Sequence, residues 1–152
     1  KWYFGQSYKM SKQINFQFLI SYLGIIPYVL TFLDKYYFLI IEEEDLLNFI
    51  TYYSLIIIVF IGSINWNLKN NPPTHIVIYG FLPSLFAVII IILSLLNINI
   101  LIIFILIILL LLTQLFFDYI ILFANETNKK AFYYLRLPLT ALITIFFFLI
   151  SL

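Results

Sequence analysis

Apolar residues in this chain come in long unbroken runs, not in alternation or in narrow helical stripes. Five runs are close to the ~20 residues that a helix needs to cross hydrocarbon: 16–33, 46–64, 76–96, 100–123 and 135–152. Polar groups punctuate them. Asp34 and Lys35 close the first run, and the acidic stretch Glu42–Asp45 opens the second. Asn65, Trp66 and Asn67 close the second, Pro72 and Pro73 precede the third, and Asn97-Ile98-Asn99 parts the third from the fourth. The polar link Asn125–Lys130 precedes the fifth. The pattern predicts an all-α polytopic membrane protein, one bundle of five transmembrane helices over residues 16–152. A basic segment at residues 1–15 leads into it, at the membrane interface. A turn as short as Asn97–Asn99 makes the third and fourth helices an antiparallel hairpin. A β-barrel is excluded because the runs do not alternate.

Composition agrees. Of 152 residues, 64% are hydrophobic and 10% charged, where a soluble domain has about half and about a quarter. A soluble fold of this size has no interior large enough for that much apolar side chain. Soluble enzymes, disordered proteins and nucleic-acid-binding domains are therefore excluded. The chain holds 30 Ile and 28 Leu but only four Val and four Ala. Lipid accepts Val as readily as Ile, so this skew reflects A+T-rich coding and carries no functional information. It does make small residues scarce. With four glycines and no GxxxG pair, helix packing is expected to rest on interlocking Ile, Leu and Phe rather than on close backbone approach. No cysteine and a single histidine, His75, argue against a metal, haem or iron–sulfur site.

Charge predicts the orientation. Five spans put the N-terminus, the 65–75 loop and the 125–130 loop on one side, called side A here. Seven of the eight Lys and Arg lie there: Lys1, Lys9, Lys12, Lys69, Lys129, Lys130 and Arg136. Side B has Lys35 among five acids, Asp34 and Glu42–Asp45. The positive-inside rule makes side A the cytoplasm or the mitochondrial matrix, with the N-terminus inside and the C-terminus outside. Lys1, Lys9 and Lys12 fit either such a flank or the tail of a basic presequence. The acidic run suits the positive dipole end of the second helix; the alternative is a docking patch for a basic partner.

One acid falls clearly within a span. Asp118 lies five residues before Phe123, about 7–8 Å of helix from the side A edge. Gln114 sits one turn earlier on the same face. Arg136 begins a stripe with Thr140 and Thr144 at the side A end of the next, antiparallel helix. An Asp118–Arg136 pair follows, with Gln114 and Thr140 as hydrogen-bonding support. A structural pin between two helices explains the pair; a proton relay or ligand contact is the alternative. Trp66 suits an interfacial anchor, and Asn65 a helix cap or a partner for Asp118. Pro27 and Pro83 lie inside helices and permit kinks, which lipid tolerates when neighbours satisfy the freed carbonyls.

Several stretches together resemble the transmembrane-protein-sixty-nine family, a small multi-pass domain of bacteria and mitochondria with no assigned activity. They are Tyr22–Tyr28, Phe60–Trp66, Leu82–Leu85, Gln114–Asp118 and Tyr134–Thr140. The run Leu135-Arg136-Leu137-Pro138-Leu139-Thr140 is the most specific. Asn65 stands where that family usually carries a histidine before the tryptophan, so no metal or proton role resting on the histidine operates here. The resemblance implies an energy-transducing membrane. The leading expectation is a non-catalytic accessory subunit of a mitochondrial inner-membrane respiratory-chain complex, partnered by its other membrane subunits. No cofactor is expected, though Lys9, Lys12, Lys69, Lys129 and Lys130 could hold anionic phospholipid such as cardiolipin. An assembly factor for such a complex, a small transporter or channel, and a bacterial inner-membrane location are the alternatives.

Overall fold

With no water in a bilayer core, backbone polar groups must be satisfied within the chain, and a helix does this segment by segment. The computed structural model describes residues 19–63, 73–122, 129 and 132–151, and every regular element among them is helical. The helices are α1 (Ile26–Leu33), α2 (Glu43–Ser63), α3 (Thr74–Leu95), α4 (Ile100–Leu122) and α5 (Leu137–Ser151). A π-helical turn, Asp34–Phe38, extends α1, and another, Phe132–Arg136, leads into α5. Four stretches are long and apolar enough to cross a membrane: Glu43–Ser63, Thr74–Leu95, Ile100–Ile120 and Phe132–Ser151. This is a multi-pass helical membrane protein.

The first apolar run is the one that departs most from expectation. Residues 19–23 are helical, a turn follows at 24–25, and α1 then runs for only eight residues. Pro27 causes the break, because it has no N–H to donate and its ring crowds the preceding turn. The Tyr28 N–H goes to the Ile25 carbonyl at 3.0 Å. The Gly24 carbonyl takes the Tyr53 hydroxyl from α2 instead, at 2.9 Å. Pro138 sets up the same situation at the start of α5. It cannot donate to the Tyr134 carbonyl four residues earlier, and the Tyr22 hydroxyl donates there at 2.5 Å. The helical end of this first region also extends past Asp34 and Lys35, which were expected to close it.

These bonds place the first helical region along α5. Tyr22 meets Tyr134 at one end, while at the other Tyr36 donates to the Leu149 carbonyl at 2.7 Å and Lys35 to that of Ile150 at 2.5 Å. The two segments therefore run in the same direction, side by side. A cation and a hydroxyl at the carbonyls of a helix's last turn also oppose the negative end of its dipole.

Acids Glu43, Glu44 and Asp45 form the first turn of α2, where the dipole favours them. The turn between α3 and α4 is as short as expected. Asn97 takes the left-handed conformation at φ 56°, which Asn tolerates better than most residues. Asn99 caps α4 by accepting the Leu101 N–H at 2.9 Å.

The core is a stack of Ile50, Ile58, Ile103, Ile107, Leu111 and Phe147 around the fully buried Tyr28. The Ser54 hydroxyl donates to the Ile50 carbonyl at 2.6 Å, which leaves Tyr28 to donate to Ser54 at 2.8 Å. Residues such as Ile56, Phe60, Ile89, Ile105 and Phe148 point outward, as lipid-facing side chains should.

Packing by large residues alone is not what holds α2 to α3, the most extensive helix contact. A Cβ added at Gly62 would stand 2.7 Å from Pro83 Cγ and 3.0 Å from the Gly80 carbonyl. Two glycines and a proline, on different helices, make the close approach that no single-helix GxxxG motif signals. Gly62→Ala must push α2 off α3. It should lower stability by about 1–3 kcal/mol, read as a lower midpoint for detergent-monitored unfolding, while Ser63→Ala at the exposed neighbour leaves the midpoint unchanged.

Candidate functional site

The buried face of α4 carries Ile103, Ile107, Leu111, Gln114 and Asp118, at spacings of three and four that keep one stripe inward. Its last two members are polar. Asp118 is 1% exposed. One carboxylate oxygen, Oδ2, accepts from Arg136 Nη2 in a direct ion pair. The other, Oδ1, accepts the Tyr79 hydroxyl from α3 at 2.9 Å. That hydroxyl also lies 3.1 Å from the Gln114 carbonyl. Asp118 thus ties together α3, α4 and the turn before α5.

Local structure presents each partner. Arg136 is the last residue of the π-helical turn, four residues after the buried Phe132 and four before the buried Thr140. It therefore shares their inward stripe, and its side chain is mostly buried. Tyr79 lies one turn into α3, at the same end of the bundle, with Phe117 packed on its ring at 5.2 Å. Tyr119 and Phe132 meet edge-on at 5.6 Å beside the pair. These rings wall the charges with apolar surface.

The expected pair is therefore present, but its support is different. Gln114 turns to α2, where Nε2 donates to the Ile58 carbonyl at 2.9 Å. Its Oε1 is buried and has no donor among the described residues. Thr140 is buried, yet among the described residues its hydroxyl makes no bond to Asp118 or Arg136; its carbonyl accepts from Thr144 at 2.8 Å. Tyr79 is the supporting group that the sequence reading missed. The signal was available: it stands three residues inside the third apolar run from side A, within a turn of the depth at which Asp118 sits in the fourth. Asn65, Trp66, Lys9, Lys12, Lys69 and Lys130 lie outside the described residues, and Lys129 is half-buried in a helical position.

Chemically, a carboxylate whose two oxygens accept from a guanidinium and from a phenol on different helical segments is held in one position. Among the described residues, no group of three or more His, Cys, Asp or Glu is arranged to hold a metal. The arrangement defines a helical membrane bundle in which, among the described residues, the Asp118–Arg136 ion pair has both side chains largely buried. No protein family, curated protein or solved structure matches the chain.

Removing one partner should be far worse than removing both. Asp118→Leu or Arg136→Leu alone leaves a charge in an apolar setting and should lose about 3–5 kcal/mol. The double replacement should lose clearly less than the sum, and Tyr79→Phe about 1 kcal/mol. A double-mutant cycle on unfolding midpoints in detergent reads this directly; strictly additive losses would show that the two groups do not act as a pair.

Proposed function

We propose that this protein is a non-catalytic accessory subunit of a respiratory-chain complex in the mitochondrial inner membrane. The observation that carries the reading is the use made of the charges. Both oxygens of Asp118, the acid within the fourth apolar run, are taken up by donors from α3 and from the turn before α5. The group is committed to holding helices together. The outward surface of the bundle is apolar helix, and the described connections at 39–42 and 96–99 are a few residues long. Such a chain offers helix surface to neighbours in a membrane and little else. The resemblance to a family found in bacteria and mitochondria supports an energy-transducing membrane as the compartment.

In this reading the chain crosses five times, with the N-terminus inside and the C-terminus outside. The alignment of residues 19–38 with most of the length of α5 supports a first crossing despite the break at Gly24 and Ile25. The excess of Lys and Arg on side A supports the direction. Basic residues on that side would attract anionic headgroups such as cardiolipin.

An assembly factor would share every one of these features and differ in stoichiometry. A transporter or channel gains one argument, the buried Oε1 of Gln114 with no donor among the described residues, but the ion pair lies toward one end rather than at the midplane that transporters favour.

In native electrophoresis after mild detergent, the chain should migrate with a respiratory complex at fixed stoichiometry. Asp118→Asn should reduce its accumulation there. Migration solely as a small free species would overturn the proposal, and enrichment only in immature complexes would select the assembly factor. Proton or solute flux in vesicles of the purified chain, abolished by Asp118→Asn at normal abundance, would select the transporter.

A further inference from the structure

The connection between α1 and α2 reverses what a loop in water would do. Asp34 and Lys35 turn inward, and the apolar residues that follow them face outward. Tyr36–Ile41 are six consecutive uncharged, largely apolar residues, all exposed, with Tyr37 at 71% and Ile40 at 80%. Asp34, by contrast, is buried, and Lys35 reaches across to the Ile150 carbonyl and to Glu43 at 3.1 Å.

The backbone shows why the loop holds this shape. Leu39 takes the left-handed conformation at φ 53°, unusual for a residue with a branched side chain. Three successive N–H groups then converge on one residue. The Leu39 N–H donates to the Asp34 carbonyl at 2.8 Å, that of Ile40 to Asp34 Oδ1 at 3.4 Å, and that of Ile41 to Asp34 Oδ2 at 3.1 Å. In water these donors need no such provision, because solvent would take them. Where water is scarce, each must find an acceptor in the protein.

We infer that Tyr36–Ile41 is a membrane foot, seated at the headgroup–acyl boundary of the leaflet on side B. Four observations converge on lipid as the occupant. The loop continues the outward apolar surface of the first helical region, through Leu23, Ile26 and Leu30. It stands level with the last turn of α5, the end of the membrane-length stretch Phe132–Ser151. Two tyrosines begin it, the residue type that favours this boundary. Its amide donors are capped from within by Asp34. The acids from Glu42 onward then emerge directly into the headgroup and water layer. Large exposed apolar patches mark membrane or protein contacts, and the internal capping favours the membrane.

The absence of cysteine makes the test clean, because a single introduced thiol is the only one to label. Ile40→Cys and Glu44→Cys, each carrying a small fluorophore, are compared in vesicles of the purified chain. The lipid is phosphatidylcholine, with or without bromine near the headgroup end of its acyl chains. The position 40 probe should be quenched by the brominated lipid and show a several-fold lower iodide quenching constant than the position 44 probe. Tyr37→Cys should behave as position 40 does. Adding Asp34→Ala should move the position 40 probe toward iodide. A position 40 probe open to iodide and indifferent to brominated lipid overturns the inference. So does one shielded only after a second protein is added, which would make the loop a protein contact.

Discussion

A polar group inside a bilayer has no solvent to fall back on, and much of this structure follows from that single constraint. Prolines at positions 27 and 138 each take an N–H away from a helix. Each time a tyrosine from a neighbouring helical segment supplies a donor near the defect: Tyr53 at Gly24, Tyr22 at Tyr134. In water such a carbonyl would be hydrated at little cost. In lipid the repair has to come from another helix, so a local defect in one segment becomes a specific contact between two. The hydroxyls of Thr51, Thr113 and Thr144 behave differently. Each bonds the carbonyl four residues back on its own helix, which satisfies the group and joins nothing.

The same constraint decides which face of a helix turns inward. A soluble helix announces its buried face by an apolar stripe, but α4 is apolar on all sides before Thr113. Burying Ile rather than exposing it gains little when the outside is hydrocarbon. Gln114 and Asp118 break the tie, since those two cannot face lipid, and Leu111, Ile107 and Ile103 follow them inward by helical spacing. On α2 and α3 the deciding residues are small. Gly62 faces Gly80 and Pro83, and the near contact of backbones there leaves no room for a side chain at position 62.

This explains what could be read from the chain and what could not. Helical class, the four long membrane-length segments, the tight Asn97–Asn99 turn and the Asp118–Arg136 pair all follow from run length, breakers and depth. These depend on single residues or on neighbours in sequence. The break at Gly24 and Ile25 was legible only in part, because Pro27 signals a kink and not its size. The Tyr79 donor and the Gln114–Ile58 bond were not read, because each depends on which helices are adjacent, and an excess of Ile and Leu leaves adjacency unspecified. The outward loop at Tyr36–Ile41 was not read for a related reason. Asp34 and Lys35 look like the polar end of a span, yet both are consumed by contacts within the protein, and the chain carries apolar surface beyond them.

Ion pairs in low-dielectric surroundings are poor sources of net stability, since desolvating two charges cancels much of their attraction. The value of Asp118–Arg136 lies in what it forbids. Consider α5 sliding by one turn along α4, about 5.4 Å. Phe147, Ile150 and Ile143 would meet other Ile and Leu side chains of nearly the same size, and the apolar energy would change little. Arg136 would leave Asp118, and one carboxylate would stand within the membrane with only a tyrosine beside it. With the first helical region fixed, the Tyr22–Tyr134 and Lys35–Ile150 bonds would be lost with it, since both are set by the register of residues 134–150. A bundle built almost entirely from interchangeable branched side chains has many arrangements of similar packing. A few polar contacts, each tied to one position on one helix, are what separate this arrangement from the others.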